Sequence, residues 1–100
     1  MRIQFRTKRL RKQFEDFAEA KKAYPASVAR KYIQRINIIQ QASSMDELKR
    51  LAAIHCHALK GNRQGQWAMK LTGQYRLIFT LKGDQLEIVR IEEVSKHYED

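Results

Sequence analysis

Six side chains carry most of the chemistry this sequence offers: His57, Lys60, Lys70, Arg76, His97 and Tyr98. Such a set suits a phosphodiester. Lysine and arginine can hold the phosphate and offset the extra charge of a pentacoordinate transition state, while histidine or tyrosine moves protons to and from the 2′-oxygen and the leaving 5′-oxygen. RNA brings its own nucleophile in the 2′-hydroxyl, so no metal is required and no cofactor is expected. The same cations on an open surface equally describe passive RNA binding. His55-Cys56-His57 places two imidazoles two residues apart, yet a metal site there needs a third ligand from His97 or a carboxylate, and exposed histidines are the commoner outcome. No Walker loop, dinucleotide fingerprint, zinc spacing or nucleophile elbow occurs.

The elements that must position these groups centre on a hairpin. Trp67, Met69 and Leu71 alternate with Gln66, Ala68 and Lys70, and Tyr75, Leu77, Phe79 and Leu81 alternate with Arg76, Ile78 and Thr80. Opposed residues of an antiparallel pair share a face, so the apolar rows must align. The expected partners are Leu71 with Tyr75, Met69 with Leu77, and Trp67 with Phe79, around a three-residue loop Thr72-Gly73-Gln74. Lys70 then faces Arg76 on the surface that the apolar row leaves. Trp67 and Phe79 are read as core rather than as a base-stacking platform.

Before the hairpin the pattern is helical. Ile3 and Phe5 alternate with Arg2 and Gln4 as a short strand, and Thr7 offers an N-cap to a helix whose apolar side runs through Leu10, Phe14 and Phe17 toward Lys21 or Tyr24. Pro25 separates it from a second helix ending near Gln41, with Ala29, Tyr32, Ile33, Ile36, Ile38 or Ile39, and Ala42 inward. Ser44 and Glu47 have capping-box spacing, predicting a short third helix from Met45 to about Ala52. All four glycines fall between Gly61 and Gly83, where helices give way to strands. Gln85 to Glu92 reads as an inner strand, and Glu93 to Asp100 as a polar tail without further structure. The sum is an α+β fold, one domain over residues 1–100, with two N-terminal helices and a short third covering the Trp67/Met69/Leu77/Phe79 face of a small antiparallel sheet. A chain this long buries roughly 65% of its unfolded surface, enough for a core without staples.

Charge is uneven. Residues 1–50 hold 13 basic and 5 acidic side chains, residues 51–100 hold 7 and 6, and the whole carries +9. An excess of that kind draws polyanions through counterion release. Lys8, Arg9, Arg11 and Lys12 crowd the first turns of the first helix, where cations oppose the macrodipole, so the cluster reads either as a binding surface or as a solvated face balanced by Glu15, Asp16 and Glu19. One cysteine cannot close an internal disulfide, and no stretch resembles a signal peptide or a membrane span, so the expected setting is the cytoplasm with no membrane partner.

His57-Ala58-Leu59-Lys60-Gly61, Gly65-Gln66-Trp67 and Tyr75-Arg76-Leu77-Ile78-Phe79 together resemble the core of HigB-type toxins of the RelE/ParE superfamily, the plasmid-maintenance killer proteins. The resemblance extends to the helix from Leu10-Arg11-Lys12 to Phe17 and to the closing strand. It implies two N-terminal helices on an antiparallel sheet, and a ribosome-dependent endonuclease that cuts mRNA in the A site. A cognate HigA-like antitoxin, often with a helix-turn-helix, would restrain it. His57 matches the histidine of the family's His-Pro-Leu-Lys-Gly segment, with Ala58 in place of proline. Lys60 and Arg76 match basic residues assigned there to phosphate contact and transition-state stabilisation. Where the family often has another arginine before the hairpin turn, this chain offers Lys70 or Thr72. Where many relatives end in Asp-Tyr-His, it has His97-Tyr98 after a longer tail. The roles implied are Arg76 as electrostatic stabiliser, His57 and His97 as proton carriers, Lys60 and Lys70 as phosphate anchors, Tyr98 as acid or stacking group, and Lys8, Arg9, Arg11 and Lys12 as rRNA contacts. A ParE-like gyrase inhibitor and a non-catalytic RNA- or ribosome-binding module are the alternatives.

Overall fold

A computed structural model describes residues 1–96, so His97 and Tyr98 lie outside the described residues. The order is β1 (Arg2–Phe5), α1 (Lys8–Glu15), α2 (Phe17–Ala23), α3 (Ala26–Gln41), α4 (Met45–Lys49), a 3₁₀ turn (Ala52–Ile54), β2 (His57–Ala58), a second 3₁₀ turn (Gly61–Arg63), β3 (Gln66–Thr72), β4 (Tyr75–Lys82) and β5 (Ile88–Lys96). The five strands form one sheet in the order β1-β5-β4-β3-β2. The expected α+β class holds. The sheet is antiparallel as expected except at one edge, where β1, whose pairing the sequence left open, runs parallel to β5, with Ile3 beside Val89 and Phe5 beside Ile91. Parallel neighbours need a long crossover, and everything between the two strands supplies it.

The hairpin keeps most of its predicted register: Lys70 pairs with Arg76, Met69 with Leu77, and Trp67 with Phe79. Leu71 does not pair with Tyr75. A bulge between Lys70 and Thr72 sets Thr72 opposite Tyr75 and shortens the loop to Gly73-Gln74, with Gly73 at φ +24°. The bulge is held from the helical side. Arg35 of α3, buried, donates through Nε to the Lys70 carbonyl at 3.0 Å and through Nη1 to Gln34 Oε1 at 2.9 Å. Its surroundings lower the pKa of the guanidinium by desolvation.

Three other boundaries move, each for a local reason. The first helix breaks at Asp16, which is extended and caps α2 by accepting from Ala18 N at 2.9 Å. An aspartate that bonds its own following backbone competes with a continuous helix, and the apolar spacing across the break hides this. Thr7 does cap α1, accepting from Leu10 N at 3.1 Å. At α4, Ser44 Oγ accepts from Glu47 N at 3.3 Å, while the Glu47 carboxylate takes the amide and hydroxyl of Ser43, which hold it below the usual carboxylate range. That helix ends at Lys49, before the predicted Ala52. The largest shift is β5, which begins at Ile88 and continues through the supposed tail to Lys96, pairing Ser95 with Arg76 and Lys96 with Tyr75. Glu92 is the extra residue of a bulge, so the inward positions run Val89, Ile91, Val94 and the two-residue period is lost.

The helices cover one sheet face. Val28, Tyr32, Ile36 and Ile39 of α3 pack with Leu48 onto Met69, Leu77, Phe79, Val89 and Ile91, all almost fully buried. Trp67 is half-buried against that cluster, with the Lys49 ammonium 5.1 Å from its ring centre. The Met1 ammonium donates to the Ile39, Gln40 and Ala42 carbonyls, placing positive charge at the C-terminal end of α3.

Buried Tyr32 donates its hydroxyl to the Leu10 carbonyl at 2.7 Å, tying α3 to α1, and burial pushes its pKa up. Tyr32→Phe removes that bond between the two helices, and a loss of about 1 kcal/mol is expected, roughly 4–8 °C in melting temperature per kcal/mol for a chain of this size. Thermal denaturation followed by circular dichroism measures it, and an unchanged midpoint would contradict the bond.

Candidate functional site

The sheet's second face is floored by small or aliphatic side chains and rimmed by cations. β2 pairs with β3 so that His57 stands opposite Ala68, and β4 sets Ile78 beside Ala68 and Arg76 beside Lys70. Ala68 and Ile78 are buried even though they point away from the helices. Over them opens a cleft of about 800 Å³, lined by His57, Lys60, Arg63 and Arg76, with Ser95 of β5 opposite Arg76. A space of that size holds a nucleotide with its phosphates.

His57 is fixed by its own chain. His55, at φ +46°, ends the first 3₁₀ turn in a left-handed conformation, and its carbonyl lies 2.9 Å from His57 Nδ1. A carbonyl only accepts, so Nδ1 carries the hydrogen, and in the neutral ring the lone pair belongs to Nε2. Among the described residues that Nε2 is buried and has no hydrogen-bond partner. The His55 ring packs on it with centroids 4.6 Å apart. Arg76 donates through Nη1 to the Gly73 carbonyl at 2.7 Å and the Tyr75 carbonyl at 3.1 Å, and these are not its only contacts.

Of the predicted site residues, His57, Lys60 and Arg76 converge on the cleft. Lys70 shares the sheet face, exposed opposite Arg76, without lining the cleft. The α1 cations form a separate surface: Lys8, Arg9 and Lys12 border a depression of about 470 Å³ with Gln13, Glu19 and Lys22, and Arg11 stacks its guanidinium 5.7 Å from the Phe5 ring centre. Sequence reasoning passed over Arg63 and Ser95. Arg63 lies three residues after Lys60 on a glycine-bounded 3₁₀ turn, a spacing that eclipses side chains and could have flagged it. Ser95 was hidden by the Glu92 bulge. Among the described residues no three of His, Cys, Asp and Glu gather as metal ligands.

Residues 3–92 match the family described as the RelE-like toxin of the type II toxin-antitoxin system HigB. The chain belongs to the HigB-like toxin family. The activity expected from the sequence, ribosome-dependent mRNA cleavage without a metal by a type II toxin, is the one this family carries. An antitoxin partner follows from the same membership. Solved structures share the fold of this HigB-like toxin at low identity. A YafQ mutant from E. coli superposes with a TM-score of 0.62 at 16% identity, covering 96% of this chain and 93% of that one. A YoeB/ParE toxin from Agrobacterium tumefaciens gives 0.57 at 18% identity over 98% and 100%. The YoeB-YefM complex from Staphylococcus aureus gives 0.54 at 20% identity over 98% of each chain. No curated protein matches the sequence. Among the described residues no helix is long and apolar enough to cross a membrane.

Cys56, between the two histidines, is partly buried, and burial pushes its thiol up to about 11 against the opposing pull of Lys49. At pH 8 only about one thiol in a thousand is then ionised, against roughly a quarter for a free cysteine. Labelling by a disulfide reagent is expected to run at least about a hundredfold slower than for glutathione and to rise about tenfold per pH unit up to pH 10. Because the folded pKa is the higher one, the linked stability is complete below the unfolded thiol pKa and falls as the pH climbs toward 11. Labelling at the free-thiol rate would contradict this environment.

Proposed function

We propose that this HigB-like toxin cuts mRNA in the ribosomal A site by driving the message's own 2′-hydroxyl onto the adjacent phosphate. His57 Nε2 takes the 2′-proton as the 2′-oxygen bonds to phosphorus. The bond from phosphorus to the 5′-oxygen breaks, leaving a 2′,3′-cyclic phosphate on one fragment and, once the oxygen is protonated, a 5′-hydroxyl on the other. Arg76 stabilises the charge gathering on the pentacoordinate phosphorus, and Lys60 anchors the phosphate. The proton for the leaving oxygen is assigned to His97 or Tyr98, which follow Ser95 and Lys96 in the chain. The observation that carries the reading is the convergence of the His57 imidazole and the cationic side chains of Lys60, Arg63 and Arg76 on one cleft.

Lys70, on the same face beyond the cleft, is assigned to a flanking phosphate, and Lys8, Arg9, Arg11 and Lys12 to ribosomal RNA. The antitoxin in this reading is a HigA-like helix-turn-helix protein that meets the basic surface with an acidic or amphipathic segment, and the toxin acts in the cytoplasm.

Primer extension on purified ribosomes programmed with a defined message tests the assignment. Arg76→Ala is expected to lower the cleavage rate about 10²–10³-fold and His57→Ala about 10²–10⁴-fold, both with native circular dichroism. Full cleavage by either variant would overturn that residue's role.

A further inference from the structure

Arg63 enters the cleft from the turn that carries Lys60. Its amide donates to the Lys60 carbonyl at 3.2 Å, and Gly61 (φ +63°) and Gly65 (φ +95°) bend the chain on either side, so the turn presents two cations to one space. The guanidinium is aimed by Gln66, whose Oε1 accepts from Nη1 at 2.9 Å. Its acidic partner among the described residues is Glu93 of β5, with 3.6 Å between Nη1 and Oε2 and the two side chains 42% and 43% exposed. An ion pair that long and that wet is weak and readily exchanged. Nε and Nη2 make no hydrogen bond among the described residues, which leaves Arg63 the paired donors that grip a phosphate in two places. Glu93 sits on the cleft face of β5, opposite Ile78 of the floor, where its carboxylate repels an incoming phosphate as long as it is charged.

We infer that Arg63 is a further phosphate-binding residue, holding a phosphodiester of the message beside the one that is cut, and that Glu93 is its exchangeable counter-ion. In the empty cleft the carboxylate occupies the guanidinium. When the message binds, a phosphate oxygen pair replaces it and Glu93 turns back to the solvent that already reaches it. The exchange lowers the affinity of the idle toxin for stray RNA and leaves the chemical step to His57 and Arg76. This inference rests on the endonuclease reading above.

Steady-state cleavage of a defined message on programmed ribosomes separates the two. Arg63→Gln is expected to raise KM about tenfold with kcat within about threefold of wild type, as for a group that binds ground and transition state alike. Arg63→Lys, which keeps the charge and loses the fork, is expected to fall between. Glu93→Gln is expected to lower KM about threefold, a gain that a merely structural role would not give. Removing a negative charge anywhere would favour RNA a little, so the double variant decides: in the Arg63→Gln background the Glu93→Gln gain shrinks to that general charge effect, well under about threefold. An undiminished gain of about threefold there, or a wild-type KM in both single variants, overturns the exchange while the endonuclease stands. An intact message with the wild-type toxin overturns the endonuclease and this inference with it.

Discussion

The pairing of β3 with β4 is the constraint on which the rest of this protein depends. Once Met69 faces Leu77 and Trp67 faces Phe79, the two-residue period of a strand leaves no choice for the residues between them: Ala68, Lys70, Arg76 and Ile78 must share the other surface. A slip of one residue would put Lys70 and Arg76 under α3 and Leu77 and Phe79 in the cleft. Burial of the apolar row therefore stabilises the sheet and aims its cations in a single step. The bulge after Lys70 allows the hairpin to close in two residues, and the buried Arg35 occupies the Lys70 carbonyl there. A cation with backbone and amide partners in place of a carboxylate is an expensive fixture, and its position at the bulge accounts for its presence.

The site is assembled from pieces that are far apart in sequence but fixed by different rules. His57 depends on the left-handed turn at His55 for its tautomer, Lys60 and Arg63 depend on a turn bounded by glycines, and Arg76 depends on the register of β4. None of these devices uses an α-helix. Among the described residues the helices cover one sheet face and leave the opposite one open, and α1 carries a second group of cations that do not line the cleft. Two positive surfaces of different shape fit a protein that must grip a large polyanion and also close on one of its linkages.

Much of this was legible in the sequence wherever a pattern repeats. The alternation in β3 and β4 predicted the Lys70–Arg76 pair, Thr7 and Ser44 predicted their caps, and Pro25 predicted the start of α3. The failures are single residues that break a period. Glu92, inserted into β5, shifts Val94 inward out of phase with Val89 and Ile91, so half a strand reads as a tail. Asp16 interrupts a helix whose apolar spacing is unbroken on either side. Arg63 looked like an ordinary surface cation, because its value lies in a contact with Glu93, thirty residues away, that no local pattern encodes. Convergence across a sheet is a tertiary fact: the alternation put Lys70 and Arg76 on one face, and the family resemblance added His57 and Lys60 to Arg76.

The central claim is that the cleft supplies charge and proton transfer while the message supplies the nucleophile. The most direct measurement uses ribosomes programmed with two messages that differ by one atom, a 2′-hydroxyl or a 2′-hydrogen on the nucleotide at the cut. Mass spectrometry of the fragments is expected to find a 2′,3′-cyclic phosphate and a 5′-hydroxyl from the first message and no break at that linkage in the second. Cleavage of the 2′-deoxy linkage would contradict the account, since water or a protein group would then have to attack the phosphorus.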